Sequence, residues 1–347
     1  MQKTANAAIL YQINQPLVVR EIEMPELLPG QVMVKIFFSG VCRSQLMEAR
    51  GGRGDDLWLP HLLGHEGSGE VVEIGEGVTK VKKGDKVILG WIRGNGAEAP
   101  GAKYVCEGQI INSGRVTTFS SYTIASENRL VKLPEGLPMD IAVLFGCALL
   151  TGAGMVFNEM KPSSDESIVV IGLGGIGLSA LMALTTLKCK QIIAIDISDE
   201  RLEVARSFGA TAVINSSTQD VKKEIELLTG DGADGCIESA GKVETIELGF
   251  SLIKKAGGRI YFASHPPEGQ YIRLAPHELI SGKQIFGSWG GACYPDQDIP
   301  RLAERFFSGD LALQKLITKK YSLGQINEAL DDLQSGKVFR PLICMEH

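Results

Sequence analysis

The sequence predicts an α/β protein of two domains, in which a doubly wound parallel sheet is inserted into a chain that begins as an antiparallel, barrel-like β region. Three observations lead there. The run Val169-Val170-Ile171-Gly172-Leu173-Gly174-Gly175-Ile176-Gly177 reads as a buried parallel strand that enters a glycine turn and then a helix. From about residue 140, apolar runs and helical patterns alternate, as in repeated strand-helix units. Before about residue 131, short strand-like runs are punctuated by Gly-Asp and Gly-Glu turns. At 347 residues the chain exceeds one ordinary core. The expected division is residues 1–148 with 292–347 for the first domain and 149–291 for the second.

In the first domain, residues 7–11, 31–38 and 69–75 read as strands. In the second, helices are expected at 141–159, 176–187, 199–208 and 219–228, and strands at 168–171, 192–195, 212–214, 235–239 and 258–263. Asp196 and Ser264 then fall at carboxyl ends of strands, where such sheets bind ligands. Residues 284–289 read as a late edge strand that invites pairing with a second copy, so a homo-oligomer is expected. The tail after about residue 291 returns to mixed helix and strand and is read as rejoining the first domain.

Composition excludes several classes. Hydrophobic residues make up 44% and charged residues 22%, as in globular domains generally, and a net charge of −6 offers no general attraction to nucleic acid or anionic lipid. Residues 168–187 hold an uncharged stretch of roughly membrane-spanning length, but fingerprint glycines and an acid-ended strand beyond them favour a nucleotide turn over a span. No membrane partner is expected. The N-terminus lacks a long apolar leader, and seven dispersed cysteines, an odd number, argue for free thiols in a reducing compartment, with cytoplasm as the expectation.

The glycine unit has assignable duties. Gly172 permits the tight turn, Gly174 lets backbone approach a pyrophosphate, and Gly177 lets helix pack on strand. Gly175 and Ile176 open the helix, whose N-terminus offers N–H donors and a positive dipole. Asp196 ends the next strand about 20 residues beyond the fingerprint, where it would accept hydrogen bonds from ribose hydroxyls. A 2′-phosphate there would meet like charge, so NAD is favoured over NADP, with Arg201 nearby as the opposing consideration. A second set of residues points to metal chemistry. Cys42, His65 in Gly64-His65-Glu66, and Cys147 offer two thiolates and one imidazole, donors that suit Zn²⁺ and leave a fourth position open, as in a catalytic site.

With these residues assembled, the chain resembles the zinc-dependent medium-chain alcohol dehydrogenase family over nearly its whole length. The resemblance rests on Gly40-Val41-Cys42-Arg43-Ser44, Gly64-His65-Glu66-Gly67-Ser68-Gly69-Glu70-Val71-Val72, Gly75-Glu76-Gly77-Val78-Thr79, Gly84-Asp85-Lys86-Val87, Gly146-Cys147, Thr151-Gly152, the fingerprint and Asp196. It implies a GroES-like catalytic domain carrying an inserted Rossmann domain, one catalytic zinc per chain, NAD, and a small alcohol or carbonyl substrate. Carried over by residue, it implies Cys42, His65 and Cys147 as ligands, with Glu66 able to approach the metal. Ser44 would take the substrate proton. Arg43 and Arg340 would contact the pyrophosphate, Thr151 would lie beside the nicotinamide, and Trp91 would line the alcohol pocket, with Trp58 a candidate for stacking on a sugar ring.

Departures from the family pattern also carry expectations. Many relatives hold a second zinc with four cysteines in the lobe that residues 92–116 form here, but this stretch contains only Cys106, so no structural zinc is expected. Gln45 stands where an aspartate usually orients the zinc-bound histidine, which predicts a weaker, more electrophilic metal. Met47 replaces a relay histidine, and His61 is either another base for proton exit or a polar loop residue. Arg50, Arg53, Arg93, Lys103 and Arg115 could grip an anionic substrate, or form a solvated surface with Asp55 and Asp56. The leading expectation is an alcohol dehydrogenase acting on a polyol or sugar-type substrate. Rivals are an S-hydroxymethylglutathione dehydrogenase, which residues 117–122 also resemble, and a non-catalytic NAD(H)-binding protein.

Overall fold

The computed structural model describes residues 4–347. Two compact units emerge, one built from the chain up to Cys147 with Tyr294–Arg305 and Leu313–His347, the other from Ala148–Cys293 with Phe306–Ala312. The last of these segments departs from the expected division, since it clusters with the second unit.

The first unit holds two β systems. Strands Thr4–Leu10, Val18–Glu23, Lys103–Cys106, Gln109–Asn112 and His61–Leu62 close a barrel around Ile9, Ile22, Tyr104 and Ile111. The second is a seven-stranded sheet in which Gln31–Gly40 pairs with Gly67–Ile74 on one side and with Pro341–Cys344 and Tyr122–Ser126 elsewhere along its length. The register Leu342↔Gly40 brings the C-terminal strand back beside the chain that leads into Cys42. Val34, Ile36, Val71 and Ile343 fill the core beneath this sheet, and burial of this apolar surface supplies the main stabilisation.

The second unit is a six-stranded sheet in the order Ala212–Asn215, Gln191–Asp196, Ser167–Ile171, Gly235–Glu238, Arg259–Phe262 and Gln284–Gly287, parallel throughout. Ser167–Ile171 has the next strand on one side and the fourth on the other, so the connections leave it in opposite directions. This is the switch point that makes a crevice at its carboxyl end. Both faces of the central strands are buried, which explains the unbroken apolar runs in the sequence. Helices start where side chains cap them: Ser198 accepts from the Arg201 N–H and Asp220 from the Lys223 N–H.

One element differs from expectation. Residues 141–159 do not form a single helix. The chain is α-helical at Met139–Ala142 and 3-10 at Val143–Gly146, breaks at Cys147 (φ −151°, ψ −80°), and resumes at Ala148–Gly154 before a π turn at Met155–Met160. The apolar pattern reports burial on all sides and not hydrogen-bond register. Gly146 lies so close to its neighbours that a Cβ would sit 2.4 Å from the Leu89 carbonyl oxygen and 2.8 Å from Glu66 Cβ.

The lobe of residues 92–116 is held by carboxylates. Glu98 pairs with Arg93, Arg115 and Arg129, and Asn128 donates to it at 2.7 Å. Glu127, 1% exposed, accepts from the Thr79 and Lys80 N–H groups through one oxygen and from the Ala97 N–H through the other, each at 2.6 Å. Burial works to raise the Glu127 pKa, but these three donors outweigh it and hold the group below the ordinary carboxylate range. Its stabilisation is therefore present above that ordinary range and lost as pH falls through the depressed folded value. A glutamine there must turn an NH₂ group toward a backbone donor. Glu127→Gln should cost roughly 1–3 kcal/mol near neutrality. The Tm gap to wild type, followed by calorimetry as pH is lowered through the carboxylate range, should shrink; a constant gap would contradict the account.

Candidate metal centre and dinucleotide turn

Cys42 ends the segment that follows strand Gln31–Gly40 and caps helix Arg43–Ala49. His65 lies between strands His61–Leu62 and Gly67–Ile74, and Cys147 occupies the helix break. The fold brings these three together: one ligand atom from each lies within 4.8 Å of the others, and the two sulfurs are 3.9 Å apart. His65 Nε2 is buried and has no hydrogen-bond partner. A buried nitrogen without a partner beside two sulfurs is what a soft divalent ion would satisfy, so the donor set fits zinc.

The electrostatics agree with cation binding. The two sulfurs share a hydrogen bond in which either can donate, and this contact, aided by His65 and Arg340 against burial, holds the Cys42 pKa well below the ordinary thiol range. The same bond, with burial, pushes Cys147 well above it. Glu66 is fully buried, and both its carboxylate oxygens are engaged by Arg340 Nη2. Burial raises the Glu66 pKa while Arg340 opposes the rise. The backbone carbonyl of Glu66 accepts from Thr118 Oγ1 at 3.0 Å and Ser39 Oγ at 3.2 Å, which fixes the chain next to His65. Arg340, expected on a pyrophosphate, is thus held by Glu66, and Glu66, expected to approach a metal, is turned to Arg340.

Gln45 is buried and bridges the Gly64 backbone N–H and the His65 ring. Its amide oxygen accepts from the Gly64 N–H, and its amide nitrogen lies 2.9 Å from His65 Nδ1. Because Gly64 N–H can only donate, the oxygen must face it, and the NH₂ group therefore faces the ring nitrogen. Ser44 Oγ is buried and without a partner. Arg43 is exposed, Trp91 is half-buried and Trp58 is 72% exposed. Trp58 is therefore a surface side chain and not the wall of an enclosed pocket. The loop arginines are spoken for: Arg50 pairs with Asp331 and Arg53 with Glu48. Cys106 is buried and accepts from the Tyr11 hydroxyl at 3.8 Å.

In the second unit the glycine turn has the expected geometry. Gly172 has φ +84°, and a Cβ on Gly177 would come within 1.9 Å of the Gly172 carbonyl oxygen, whereas a Cβ on Gly174 would meet nothing within 4 Å. The open space at Gly174 is the approach that a pyrophosphate needs, and helix Gly175–Thr186 begins there, with Gly175 and Ile176 half-buried at its start. Asp196 ends its strand as expected, but its carboxylate also accepts from the Leu173, Ile197 and Ser198 N–H groups at 2.8, 2.8 and 3.1 Å. Ser264 follows strand Arg259–Phe262 and donates to the Ser239 carbonyl, Arg201 is half-buried on helix Asp199–Ser207, and Thr151 is buried in helix Ala148–Gly154. Sequence reasoning missed Glu238. It ends the strand next to Ile171, is fully buried, and accepts from Ala240, Gly241 and Thr245 through one oxygen while the other has no partner. An acid ending the apolar run Gly235-Cys236-Ile237-Glu238 was the available signal.

Known proteins match along the whole chain. Residues 28–135 match the alcohol dehydrogenase GroES-like domain, and residues 175–308 match the zinc-binding dehydrogenase domain. An S-(hydroxymethyl)glutathione dehydrogenase of Synechocystis sp. is 31% identical, covering 98% of this chain and 99% of the relative. Alcohol dehydrogenase 1 of Pisum sativum is 28% identical, covering 98% and 97%. Among solved structures, benzyl alcohol dehydrogenase from Acinetobacter calcoaceticus superposes with a TM-score of 0.90 at 30% identity, covering 99% of this chain and all of that one. A GroES-like β domain, a parallel nucleotide sheet, a buried Cys-His-Cys set and these full-length relatives together make the chain a member of the zinc-dependent medium-chain alcohol dehydrogenase family.

Proposed function

We propose that this protein transfers a hydride between NAD(H) and a neutral alcohol or carbonyl substrate, with Cys42, His65 and Cys147 holding one catalytic zinc. The observation that carries this reading is the unpartnered, buried His65 Nε2 in a Cys-His-Cys group whose ligand atoms lie within 4.8 Å of one another. A zinc ion held there supplies Lewis-acid polarisation of a substrate oxygen. The chain's own residues do the rest. Ser44 Oγ, buried and unpartnered, is free to accept a proton from a substrate hydroxyl and pass it outward. Gly174 leaves room for the pyrophosphate, and the amides of helix Gly175–Thr186 bind it. Asp196 accepts from the ribose hydroxyls through lone pairs that its backbone donors leave over, and its charge repels a 2′-phosphate.

Substrate class follows from charge. In the loop that follows helix Arg43–Ala49, Arg53 is paired with Glu48 and Arg50 with Asp331, so that loop has no unengaged arginine for an anionic substrate, whereas Arg93, Arg115 and Arg129 share the single carboxylate of Glu98. An uncharged diol or polyol suits such a surface better than a glutathione adduct with its carboxylates. Similarity to an S-(hydroxymethyl)glutathione dehydrogenase makes that adduct the second reading.

Gln45 has a consequence for metal affinity. A ring that ligates through Nε2 must carry its proton on Nδ1, so Nδ1–H and Gly64 N–H both need an acceptor, and one amide oxygen serves only one of them. A carboxylate serves both.

Three measurements test the proposal. Protein purified with zinc should hold one ion per chain in this site and reduce NAD with uncharged diols or polyols faster, in kcat/KM, than with S-hydroxymethylglutathione; Cys147→Ala should lose both the ion and turnover, and retained turnover would overturn the ligand set. NAD should be preferred over NADP by about tenfold or more, the equivalent of about 1.4 kcal/mol of like-charge repulsion at Asp196; equal use would remove that role. Gln45→Asp should tighten zinc by roughly 10–100-fold in competition with a chromophoric chelator, and unchanged or weaker binding would count against the hydrogen-bond argument.

A further inference from the structure

A second group of ligating side chains lies in the same unit, outside the Cys-His-Cys set. Glu48 near the end of helix Arg43–Ala49, Asp56 in the following loop and His61 in strand His61–Leu62 each point one ligand atom into a common space, and the three atoms lie within 4.8 Å of one another. His61 is only 6% exposed. Its Nδ1 lies 3.0 Å from the Leu62 carbonyl oxygen, and a carbonyl can only accept, so Nδ1 carries a proton. Nε2 of a neutral ring is then a bare lone pair. It faces Asp56 Oδ2 at 2.7 Å and Glu48 Oε1 at 4.0 Å, both acceptors as well.

With Nδ1 protonated, the 2.7 Å contact between Nε2 and Asp56 Oδ2 calls for positive charge between them, either a second ring proton or a shared metal ion. The other atoms of these groups are occupied: Asp56 Oδ1 accepts from the Trp58 N–H at 2.9 Å, and Glu48 Oε2 accepts from Arg53 at 3.1 Å. Each residue thus keeps one atom turned inward. An added proton on Nε2 would satisfy the bond to Asp56 but gives Glu48 Oε1 nothing closer than 4.0 Å. A divalent ion satisfies all three.

We propose that Glu48, Asp56 and His61 form a second metal site, for a divalent ion that accepts one imidazole and two carboxylates, of the manganese or zinc type. The side chains are 23%, 12% and 8% exposed, so water can reach the ion and complete its shell. The ligands come from a helix, a loop and a strand, and an ion there ties the ends of residues 50–60 together between Cys42 and His65. It is separate from the site of the proposed function and takes harder ligands, which makes the two distinguishable by metal.

Mn²⁺ is the probe. Full-length protein with its thiolate site filled by zinc is titrated with Mn²⁺, and loss of the free-ion EPR signal is counted. One Mn²⁺ per chain is expected, together with a rise in Tm. Glu48→Gln, a half-exposed change that leaves the core untouched, should weaken Mn²⁺ binding by about tenfold or more, and His61→Asn should abolish it. Zinc content at the thiolate site should stay the same in both variants. No Mn²⁺ uptake up to millimolar concentration, with no extra zinc bound under zinc excess, would mean that a proton fills the gap and would overturn the proposal. Uptake that neither variant changes would overturn it as well.

Discussion

The first unit is organised around one fully buried carboxylate. Glu66 has no exposed surface, and an uncompensated charge in that position would cost several kcal/mol. Arg340 meets both its oxygens across 274 residues of sequence. Removing either partner of such a pair leaves the other buried and costs about 3–5 kcal/mol, so the C-terminal strand has a defined place to return to. That strand then pairs Leu342 with Gly40, two residues before Cys42, while Glu66 itself follows His65. Two of the three metal-ligand candidates are therefore positioned by the same ion pair, and Gly146, pressed against Glu66 Cβ, brings the third.

Charge explains why this cluster suits a divalent ion. Burial and the hydrogen bond between the two sulfurs oppose charging both at once, so the pair gives up its second proton only against a compensating positive charge. If both sulfurs ionise, they and Glu66 carry three negative charges, which Arg340 and one divalent cation balance. The closed set is then neutral, as a buried site must nearly be. Arg340 thus contributes to this charge balance as well as to the position of the C-terminal strand.

Much of this was legible in the sequence, and the illegible parts have physical reasons. The parallel sheet and its glycine turn were readable because buried strands and tight turns restrict residue choice locally: Ile168 to Ile171 must be apolar and Gly172 must adopt φ +84°. The Cys-His-Cys set was readable because so few residue types offer soft donors. The break at Cys147 was not, since an apolar run looks alike whether its backbone is α, 3-10 or kinked. The engagement of the arginines was also hidden. Arg93 and Arg115 lie in loops on either side of strands Lys103–Cys106 and Gln109–Asn112, and only the fold brings Glu98 between them. Trp58, an aromatic that sequence alone assigns to a pocket, is 72% exposed in a loop where its own N–H donates to Asp56 Oδ1.

In the second unit, the atoms proposed to set cofactor specificity also hold the backbone. Asp196 is the residue that would distinguish the two nicotinamide cofactors, yet its carboxylate also accepts from Leu173 in the glycine turn and from Ile197 and Ser198 at the start of the next connection. Glu238 repeats the device one strand away, caging Ala240 and Gly241. A carboxylate at a strand's carboxyl end satisfies backbone donors that the turn leaves unpaired and, with its remaining lone pairs, presents negative charge to the crevice. An exchange of Asp196 for a neutral residue to admit a 2′-phosphate would therefore strip the glycine turn of its acceptor at the same time. With the cofactor role proposed for Asp196, cofactor choice is tied to the folding of the turn itself, and a change at a neighbour such as Arg201 leaves those three N–H groups satisfied.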